Sequence, residues 1–379
     1  MPGMSGEREQ CWSPTNTGAM SILRQWGECA VMPEVSVIVI IYKVERFLRQ
    51  CLESLSSQTF KDIEVICVVA DTDKACIEIC EEFAGKDERF KVIKEAPRGT
   101  AGARNTGLSA AKGKYIAFVD GDDYAASDMI EVMHEGAVSQ DADISVIGKY
   151  YVYENVTEAE NVPASGNGGE PELLLIDPTQ AMEIVLYQTG FFLHIWDKLY
   201  KRELFKDISF DEGKKVEDRL VSFRLLYSAE RIVYNRKPEY CFRMSADSGS
   251  RVEDNLAKSF EADKVMCTGI MKKDPGLLKA CEYFMAYEAM SVIQNSMLTG
   301  TFSREHDKEY LDYVRSLSHS VYNNKRVGRG VKAKTFLCLH FPSVLKWLTV
   351  RRRKKFLEGH RLFSSGNDWN GIFREQGIE

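Results

Sequence analysis

The sequence predicts an α/β fold with a doubly wound, mostly parallel sheet flanked by helices and followed by a helical C-terminal region. Short β-branched runs alternate with amphipathic helical patterns through the first 150 residues. One of these runs ends in an Asp-rich turn, and from about Asn255 onward the pattern is almost wholly helical. Strands that alternate with helices form sheets in which crossover helices connect parallel neighbours.

The strands are predicted from short runs rich in Val and Ile, which are typical of strands buried on both faces of a parallel sheet. The five runs are Val35–Tyr42, Ile63–Val69, Phe90–Ile93, Tyr115–Val119 and Ile144–Ile147.

The helices are predicted from apolar residues spaced three and four apart. The first apolar stripe consists of Val44, Phe47, Leu48, Cys51, Leu52 and Leu55. Later helices are predicted around Cys76–Phe83, over Thr100–Ala111 and over Asp128–Gln140. Asp177-Pro178 begins another helix, because Asp is a good N-cap and Pro suits the first helical position. Between Glu154 and Glu172 the composition predicts a loop or a mobile lid.

Size and composition fit a globular protein of two domains, or of one domain with an appendage. The chain has 379 residues, 44% hydrophobic and 28% charged, with a net charge of −6, which argues against non-specific nucleic-acid binding. None of its ten cysteines forms a Cys-x-x-Cys pair, so we expect a reducing, cytoplasmic compartment and no zinc site. We expect no membrane-spanning helix and no signal peptide, and residues 1–33 are predicted to be disordered.

The most informative segment is Tyr115-Ile-Ala-Phe-Val-Asp-Gly-Asp-Asp-Tyr124. It places Asp120, Asp122 and Asp123 at the C-terminal end of a predicted strand, where open α/β sheets bind ligands. Carboxylates this close repel one another, and a divalent cation that bridges to a phosphate relieves the repulsion. The alternative is an Asp/Gly-rich turn whose acids cap the next helix.

Two other phosphate-binding motifs are absent. A dinucleotide-binding unit needs Gly-x-Gly-x-x-Gly after its first strand, and Tyr42-Lys-Val-Glu45 has no glycine. A P-loop needs Gly-x-x-x-x-Gly-Lys-Ser/Thr, which the chain lacks. Hydride transfer and ATPase chemistry are therefore not expected.

Several segments in consistent order and spacing, over roughly residues 34–250, resemble the family 2 glycosyltransferases. These enzymes have the A-type glycosyltransferase fold (GT-A), whose α/β domain binds a nucleotide-sugar. The segments that carry the resemblance are Val35–Tyr42, Gln58–Val65, Gly102-Ala-Arg-Asn-Thr-Gly107, Ala111–Tyr124, Trp196–Phe205, Glu217-Asp-Arg-Leu220 and Tyr240-Cys-Phe-Arg-Met-Ser245.

The resemblance implies a donor site that holds a nucleotide-sugar and Mn²⁺ or Mg²⁺. Asp120 corresponds to the first acid of the family's Asp-x-Asp element, and Asp122 corresponds to the second, the direct metal ligand. Arg104 should approach the nucleotide, with an exposed surface arginine as the alternative. The implied nucleotide-sugar contacts are Ile40, Tyr42, Glu45, Asp71, Arg104, Asp120, Gly121 and Asp122.

The resemblance also implies an acceptor side. Asp218 should act as the general base that deprotonates the acceptor hydroxyl, giving inversion in a single displacement. The alternative for Glu217-Asp218 is an acidic first turn that complements the helix dipole. The implied acceptor-side residues are Trp196, Asp197 and Lys198, although Trp196 is equally suited to stack on a sugar or to lie in the core.

The chain departs from the family pattern at two places. It has Ile40-Ile-Tyr42-Lys43 where Pro-x-Tyr-Asn is usual, and Val69-Ala-Asp71-Thr72 where Asp-Asp-Gly-Ser is usual. Either Asp71 substitutes in recognising the base, or base recognition is altered. A catalytically degenerate, glycosyltransferase-like binding protein is therefore the second hypothesis. A nucleotidyltransferase is disfavoured, because it would need a Gly-rich basic loop after the first strand.

The C-terminal segment Lys325–Lys355 has many Lys and Arg and no acid, interleaved with aromatic and aliphatic residues. It is typical of an interfacial helix on an anionic membrane, or of a helical subdomain with a solvated basic face. We expect residues 34–150 to bind a nucleotide-sugar, which the family resemblance implies to be UDP-linked. Residues 151–250 are expected to form the acceptor side, and residues 251–379 to be helical. The expected activity is inverting, metal-dependent sugar transfer to a saccharide or lipid-linked acceptor at the inner face of the plasma membrane.

Overall fold

The computed structural model describes residues 32–159, 173–213, 217–245 and 253–362. The predicted disorder of residues 1–33 falls almost wholly outside this part of the chain, as does most of the predicted loop at 154–172. The strands are β1 (Val35–Ile41), β2 (Ile63–Ala70), β3 (Phe90–Glu95), β4 (Tyr115–Asp120), β5 (Tyr124–Ala125), β6 (Ile144–Val152), β7 (Thr157–Ala159), β8 (Leu173–Ile176), β9 (Lys198–Lys201) and β10 (Ile232–Arg243).

The helices surround this sheet and then continue into the C-terminal region. They are α1 (Glu45–Ser56), α2 (Lys74–Lys86), α3 (Gly99–Ala110), α4 (Met129–Ser139), α5 (Pro178–Tyr187), α6 (Glu217–Ser228), α7 (Glu253–Lys273), α8 (Leu278–Thr299), α9 (Lys308–Asn323), α10 (Arg329–His340) and α11 (Pro342–Gly359). Within the described ranges, no helix combines the length and the apolar character needed to cross a bilayer.

The strand order is β3-β2-β1-β4-β9-β6-β10-β5, with β7 paired to β6 and β8 paired to β10. The half from β3 to β4 is parallel, whereas β9 runs antiparallel to both β4 and β6. The prediction of an α/β sheet with flanking helices and a helical C-terminal region is confirmed. The second half of the sheet is mixed, which the sequence patterns did not predict.

The local signals explain why the parallel half forms. Every residue of β2 is buried, as its β-branched run predicts. Leu48, Leu52 and Leu55 of the α1 stripe are buried, whereas Val44 and Phe47 are half-buried. The thiols of Cys51, Cys76 and Cys80 are buried and act as small apolar groups. Asp177 and Gln180 form the reciprocal capping box of α5, and Pro178 lies at its first turn.

Two parts of the second half differ from the sequence expectation. Thr157–Ala159 lies in the predicted loop but pairs with the end of β6 as β7. The long strand β10 was missed because it contains charged residues and Pro238, which are uncommon inside strands. The structure places Pro238 at a register shift and pairs Lys237 with Asp128 and Glu239, both at 2.6 Å.

Candidate active site

The acidic turn lies at the carboxyl edge of the parallel half of the sheet. Asp120 is the last residue of β4 and aligns with Ile40 near the end of β1. The Gly121 N–H donates to the Ile40 carbonyl oxygen at 3.1 Å. A Cβ at position 121 would lie 3.0 Å from that same oxygen, so glycine allows the close approach. The predicted contacts Ile40, Asp120 and Gly121 are therefore brought together.

The third acid of the turn has a different environment. Asp123 is 1% exposed, and its carboxylate accepts hydrogen bonds from the Tyr240 hydroxyl at 2.8 Å and the Arg243 backbone N–H at 2.7 Å. The Tyr240 hydroxyl also accepts the Asp120 N–H at 3.2 Å. The Arg243 Nε donates to the Asp122 carbonyl oxygen at 2.7 Å. Asp123 thus ties the turn to β10, a role that the sequence motif did not separate from those of Asp120 and Asp122.

We expect Tyr240→Phe to destabilise the protein, because it removes a hydrogen-bond donor from a buried carboxyl group and an acceptor from the Asp120 N–H. A loss of about 1–3 kcal/mol in the free energy of unfolding is expected. Urea denaturation measures it. The matched control is Tyr200→Phe, another buried tyrosine, whose hydroxyl makes a longer bond to the Ile195 carbonyl at 3.3 Å. Equal losses in the two variants would contradict the role given to Tyr240.

Arg104 and Asp120 form an ion pair at the base of the turn. The distance between Arg104 Nη2 and Asp120 Oδ1 is 3.5 Å, and Arg104 is only 5% exposed. The surface-arginine alternative is therefore wrong. The pKa of Asp120 is raised to about 6, chiefly by burial and also by the neighbouring Asp122 and Asp218 carboxylates, while Arg104 opposes the rise. Burial also raises the pKa of Asp122.

The raised pKa of Asp120 predicts a pH-dependent cost to stability in the metal-free protein. Between the usual pKa of 3.8 and about 6, the folded state holds a proton that the unfolded state has released, so stability falls as pH rises through this window. We expect Asp120→Asn to raise the free energy of unfolding near neutral pH by about 1–3 kcal/mol and to flatten this slope. Denaturation of parent and variant with a chelator present, at pH values below and above this range, measures the free energy of unfolding. The same dependence of stability on pH in the two proteins would contradict the expectation.

Glu217 and Asp218 are the first two residues of α6, as predicted, and Asp218 lies near the same turn. Its carboxylate accepts the Arg219 N–H at 2.9 Å, and its charge contributes to the raised pKa of Asp120. Arg219 in turn pairs with Asp263 of α7 at 2.6 Å, which fixes the start of α6 against the C-terminal helices. The candidate base and the candidate metal ligands therefore share one region, although the position of Asp218 also fits the helix-dipole alternative.

Asn105 is a positioning residue that the sequence analysis did not single out, although it lies in the quoted Gly102–Gly107 segment. Its side-chain amide donates to the Phe210 carbonyl at 2.8 Å and accepts the Phe210 N–H at 2.9 Å. The Phe210 ring lies 5.4 Å from the Arg104 guanidinium. These contacts hold Phe210 against α3, beside Arg104.

The ends of β1 and β2 present the residues expected around the base. Ile41 pairs with Val69, which puts Tyr42 and Asp71 at neighbouring strand ends, and both side chains are exposed. Glu45 is the exposed first residue of α1. Val69 and Ala70 are buried and supply no carboxylate, so the departure from the family pattern leaves this edge without its usual acid pair.

Asp73, rather than Asp71, holds the loop that follows β1. Its carboxylate accepts the Lys43 N–H at 2.6 Å and the Cys76 N–H at 3.4 Å, and so caps α2. The potential ligand atoms of Glu45, Asp73 and Cys76 lie within 4.8 Å of one another. Burial raises the pKa of the Cys76 thiol to about 12, which keeps it protonated and unsuited to bind a metal.

The oxygen atoms of the acidic turn suit a hard cation better than the cluster of Glu45, Asp73 and Cys76 does. Mn²⁺ and Mg²⁺ prefer oxygen ligands, and Asp120 and Asp122 supply carboxylates whose mutual repulsion a cation would relieve. The raised pKa values of Asp120 and Asp122 and the partial burial of both side chains are the observations that support this fit.

The three residues expected on the acceptor side lie in the interior. Trp196 is 4% exposed and stacks between the His194 ring at 4.6 Å and the Tyr240 ring at 4.2 Å. The Lys198 ammonium is buried, pairs with Asp197 and donates to the Phe192 and His194 carbonyls. Of the two alternatives for Trp196, the structure has the core position. Trp196 packs against Tyr240, whose hydroxyl contacts the acidic turn. Direct contact of Trp196, Asp197 and Lys198 with an acceptor stays a prediction.

Comparisons with known proteins identify the family of this chain. Residues 36–209 match the family model described as glycosyl transferase family 2. The chain is 35% identical to glycosyltransferase GlyA of Streptococcus pneumoniae over 58% of this chain, but it spans only 32% of that protein's length. It is 34% identical to glycosyltransferase GlyG of the same species, over 59% of this chain and 75% of GlyG. It is 29% identical to the uncharacterized glycosyltransferase EpsJ of Bacillus subtilis, over 86% of this chain and 96% of EpsJ.

Solved structures share the fold. The crystal structure of S. aureus TarS 1–349 in complex with UDP superposes with a TM-score of 0.57 at 19% identity, covering 86% of this chain and 92% of that one. The mannosyltransferase PcManGT from Pyrobaculum calidifontis, in complex with GDP-Man and Mn²⁺, has a TM-score of 0.51 at 13% identity, covering 86% and 88%. With the family model and the relationship to GlyG, the conclusion is that this chain belongs to the family 2 glycosyltransferases.

Proposed function

We propose that this protein is an inverting, metal-dependent glycosyltransferase that transfers a sugar from a UDP-linked donor to a hydroxyl group of a polysaccharide, oligosaccharide or lipid-linked acceptor. One observation carries the proposal: the Asp218 carboxylate lies close enough to the Asp120–Asp122 turn to raise the pKa of Asp120. A candidate base and a candidate diphosphate-binding turn thus occupy one region at the carboxyl edge of the sheet.

The donor diphosphate would bind at the acidic turn. Mn²⁺ or Mg²⁺ held by Asp122 and Asp120 would neutralise the negative charge of the departing diphosphate. The Mn²⁺ present in the PcManGT structure supports this choice of ion. Arg104, which is buried beside Asp120, fixes that carboxylate and adds a positive charge on the nucleotide side.

The nucleoside would lie over the ends of β1 and β2. The exposed side chains of Tyr42, Glu45 and Asp71, together with the Ile40 backbone, define this part of the proposed site. UDP is favoured because TarS 1–349, whose fold this chain shares, was crystallised with UDP. The altered edge at Val69-Ala70 implies that base recognition depends on fewer carboxylates than is usual in the family.

Asp218 would act as the general base. Its Oδ2 would accept the proton of the acceptor hydroxyl while that oxygen attacks the anomeric carbon from the side opposite the diphosphate. A single displacement of this kind inverts the configuration of the sugar. Trp196, Asp197 and Lys198 would shape the acceptor side by supporting the residues that line it.

The remaining parts of the chain have proposed roles as well. Residues 34–150 would form the nucleotide-sugar half, 151–250 the acceptor half, and 251–379 a helical region whose basic segment contacts a membrane. With a lipid-linked acceptor, the protein would act at the cytoplasmic face of the plasma membrane, in polysaccharide or glycolipid assembly.

Isothermal titration with a panel of nucleoside diphosphates, with and without Mn²⁺, tests the proposal. We expect UDP to bind only when the metal is present. Failure of every nucleotide to bind would favour the second candidate, a degenerate binding protein, because the missing acids at Val69-Ala70 would then be decisive.

A further inference from the structure

Helices α10 and α11 expose an unusual set of apolar side chains. Phe336 is 47% exposed, Phe341 52%, Val344 45% and Trp347 56%. The Phe336 and Phe341 rings lie 5.8 Å apart, and the Arg351 guanidinium lies 5.2 Å from the Trp347 ring. We call these five residues the α10–α11 surface. Large aromatic side chains grouped on a surface generally mark an interaction site.

The helix pattern shows that this surface is separate from the core face. In α11 the buried positions are Leu345 and Thr349, whereas Val344, Trp347 and Arg351 lie along another side at spacings of three and four. These exposed apolar residues are therefore not needed to attach α11 to the protein. They remain available to contact a partner.

The charge around the surface identifies the partner. From Lys325 to Lys355 the chain has eleven Lys and Arg and no Asp or Glu. Arg351, Lys354 and Lys355 are exposed, on the same helix as Trp347. Aromatic residues beside a cluster of cations suit the headgroup region of an anionic bilayer, where the rings enter the interface and the cations meet lipid phosphates.

We infer that the α10–α11 surface docks on an anionic lipid bilayer. This inference deepens the proposed function, since it rests on an acceptor that is presented at a membrane. A second copy of the chain is a less suitable partner, because two such surfaces would bring like charges together at the interface.

The far end of α11 connects this surface to the donor side. The Phe356 ring packs 5.7 Å from Tyr153, and the Glu154 N–H donates to the Arg361 carbonyl at 2.8 Å. Glu154 also faces Arg46 of α1 at 4.0 Å, close to the proposed nucleoside contacts. A docked α11 would thus hold the donor site at a fixed height above the lipid headgroups.

Vesicle flotation of the full chain tests the inference. The probes are vesicles of phosphatidylcholine alone and vesicles with about one-third phosphatidylglycerol. We expect the parent to bind only the anionic vesicles. Phe341→Ser with Trp347→Ser should weaken binding about tenfold or more. Replacing Arg351, Lys354 and Lys355 by Gln should weaken it about a hundredfold.

Matched controls have the same chemistry elsewhere on the protein. Val138→Ser changes an apolar residue that is 52% exposed on α4, and replacing Lys86, Lys272 and Lys308 by Gln gives the same net charge as the α11 triple variant. We expect both controls to bind like the parent. The inference is overturned if the parent ignores anionic vesicles, if the controls lose as much binding as the test variants, or if Trp347→Ser instead dissolves a dimer seen by light scattering.

Mn²⁺-dependent UDP binding, measured on the same variants, separates this inference from the proposed function. Loss of vesicle binding with intact UDP binding would confirm the role of the surface. UDP binding in a parent that ignores vesicles would overturn the docking surface alone. Vesicle binding without any nucleotide binding would overturn the proposed transferase activity alone.

Discussion

Asp122→Ala is expected to abolish Mn²⁺-dependent binding of UDP. Asp122 supplies a partly buried carboxylate in the turn between β4 and β5, and burial has already raised its pKa, so the folded protein bears the cost of placing the charge there. A bound cation would stabilise that negative charge, and alanine removes the carboxylate that would bind the cation. We expect the affinity for UDP with Mn²⁺ to fall about a hundredfold or more. Isothermal titration of parent and variant measures the change.

The control for this experiment is Asp62→Ala, an exposed carboxylate just before β2. It should bind UDP with the parent's affinity, and thermal unfolding of both variants verifies that they are folded. If Asp122→Ala kept metal-dependent binding at the parent's strength, the metal-ligand assignment would be wrong. Binding that is equally strong with and without Mn²⁺ in the parent would contradict the metal dependence itself.

Asp218→Asn is expected to remove transfer while leaving the donor bound. Asparagine keeps the size of the side chain and can still accept the Arg219 N–H, but it cannot take a proton from a hydroxyl group. Loss of a general base typically lowers the rate by about 10²–10⁴-fold. UDP release from a panel of UDP-sugars, with water or added saccharides as acceptor, measures the rate. Titration with UDP and Mn²⁺ should show unchanged affinity.

Asp207→Asn is the matched control, since Asp207 is an exposed acid in the segment that leads to α6. We expect it to retain the parent's rate. Transfer by Asp218→Asn at the parent's rate would restore the alternative in which Asp218 only complements the dipole of α6. A loss of UDP affinity in Asp218→Asn would instead place its main role on the donor side.

The first half of the fold follows closely from local sequence signals. The predicted Val35–Tyr42 and Tyr115–Val119 differ by one residue from the observed β1 and β4, because continuous β-branched runs have few alternatives to a buried parallel strand. The strand β9 and most of β10 could not be predicted in this way. Lys198, within β9, is buried despite its charge, because it pairs with Asp197 and donates to the His194 carbonyl.

The candidate site was also only partly predictable. The family resemblance indicated roles for Asp120, Asp122 and Asp218, but the acidic motif did not show that Asp123 has a separate, structural role. That distinction depends on Tyr240 and Arg243, which lie more than a hundred residues later and bind Asp123 from β10. Likewise, the composition did not show that Trp196 lies in the core, because its stacking partner Tyr240 belongs to a strand that the sequence did not reveal.

The sequence by itself determined the alternating strands and helices, the acidic turn after a buried strand, the start of α6 at Glu217-Asp218, and the basic C-terminal segment. Each depends on residues that are close along the chain, where periodicity, capping and charge act directly. Only the tertiary structure decided which acid is structural, how Asn105 holds Phe210 beside Arg104, and which C-terminal side chains remain exposed. These depend on contacts between distant segments, whose burial and hydrogen bonds exist only once the sheet and its helices have packed together.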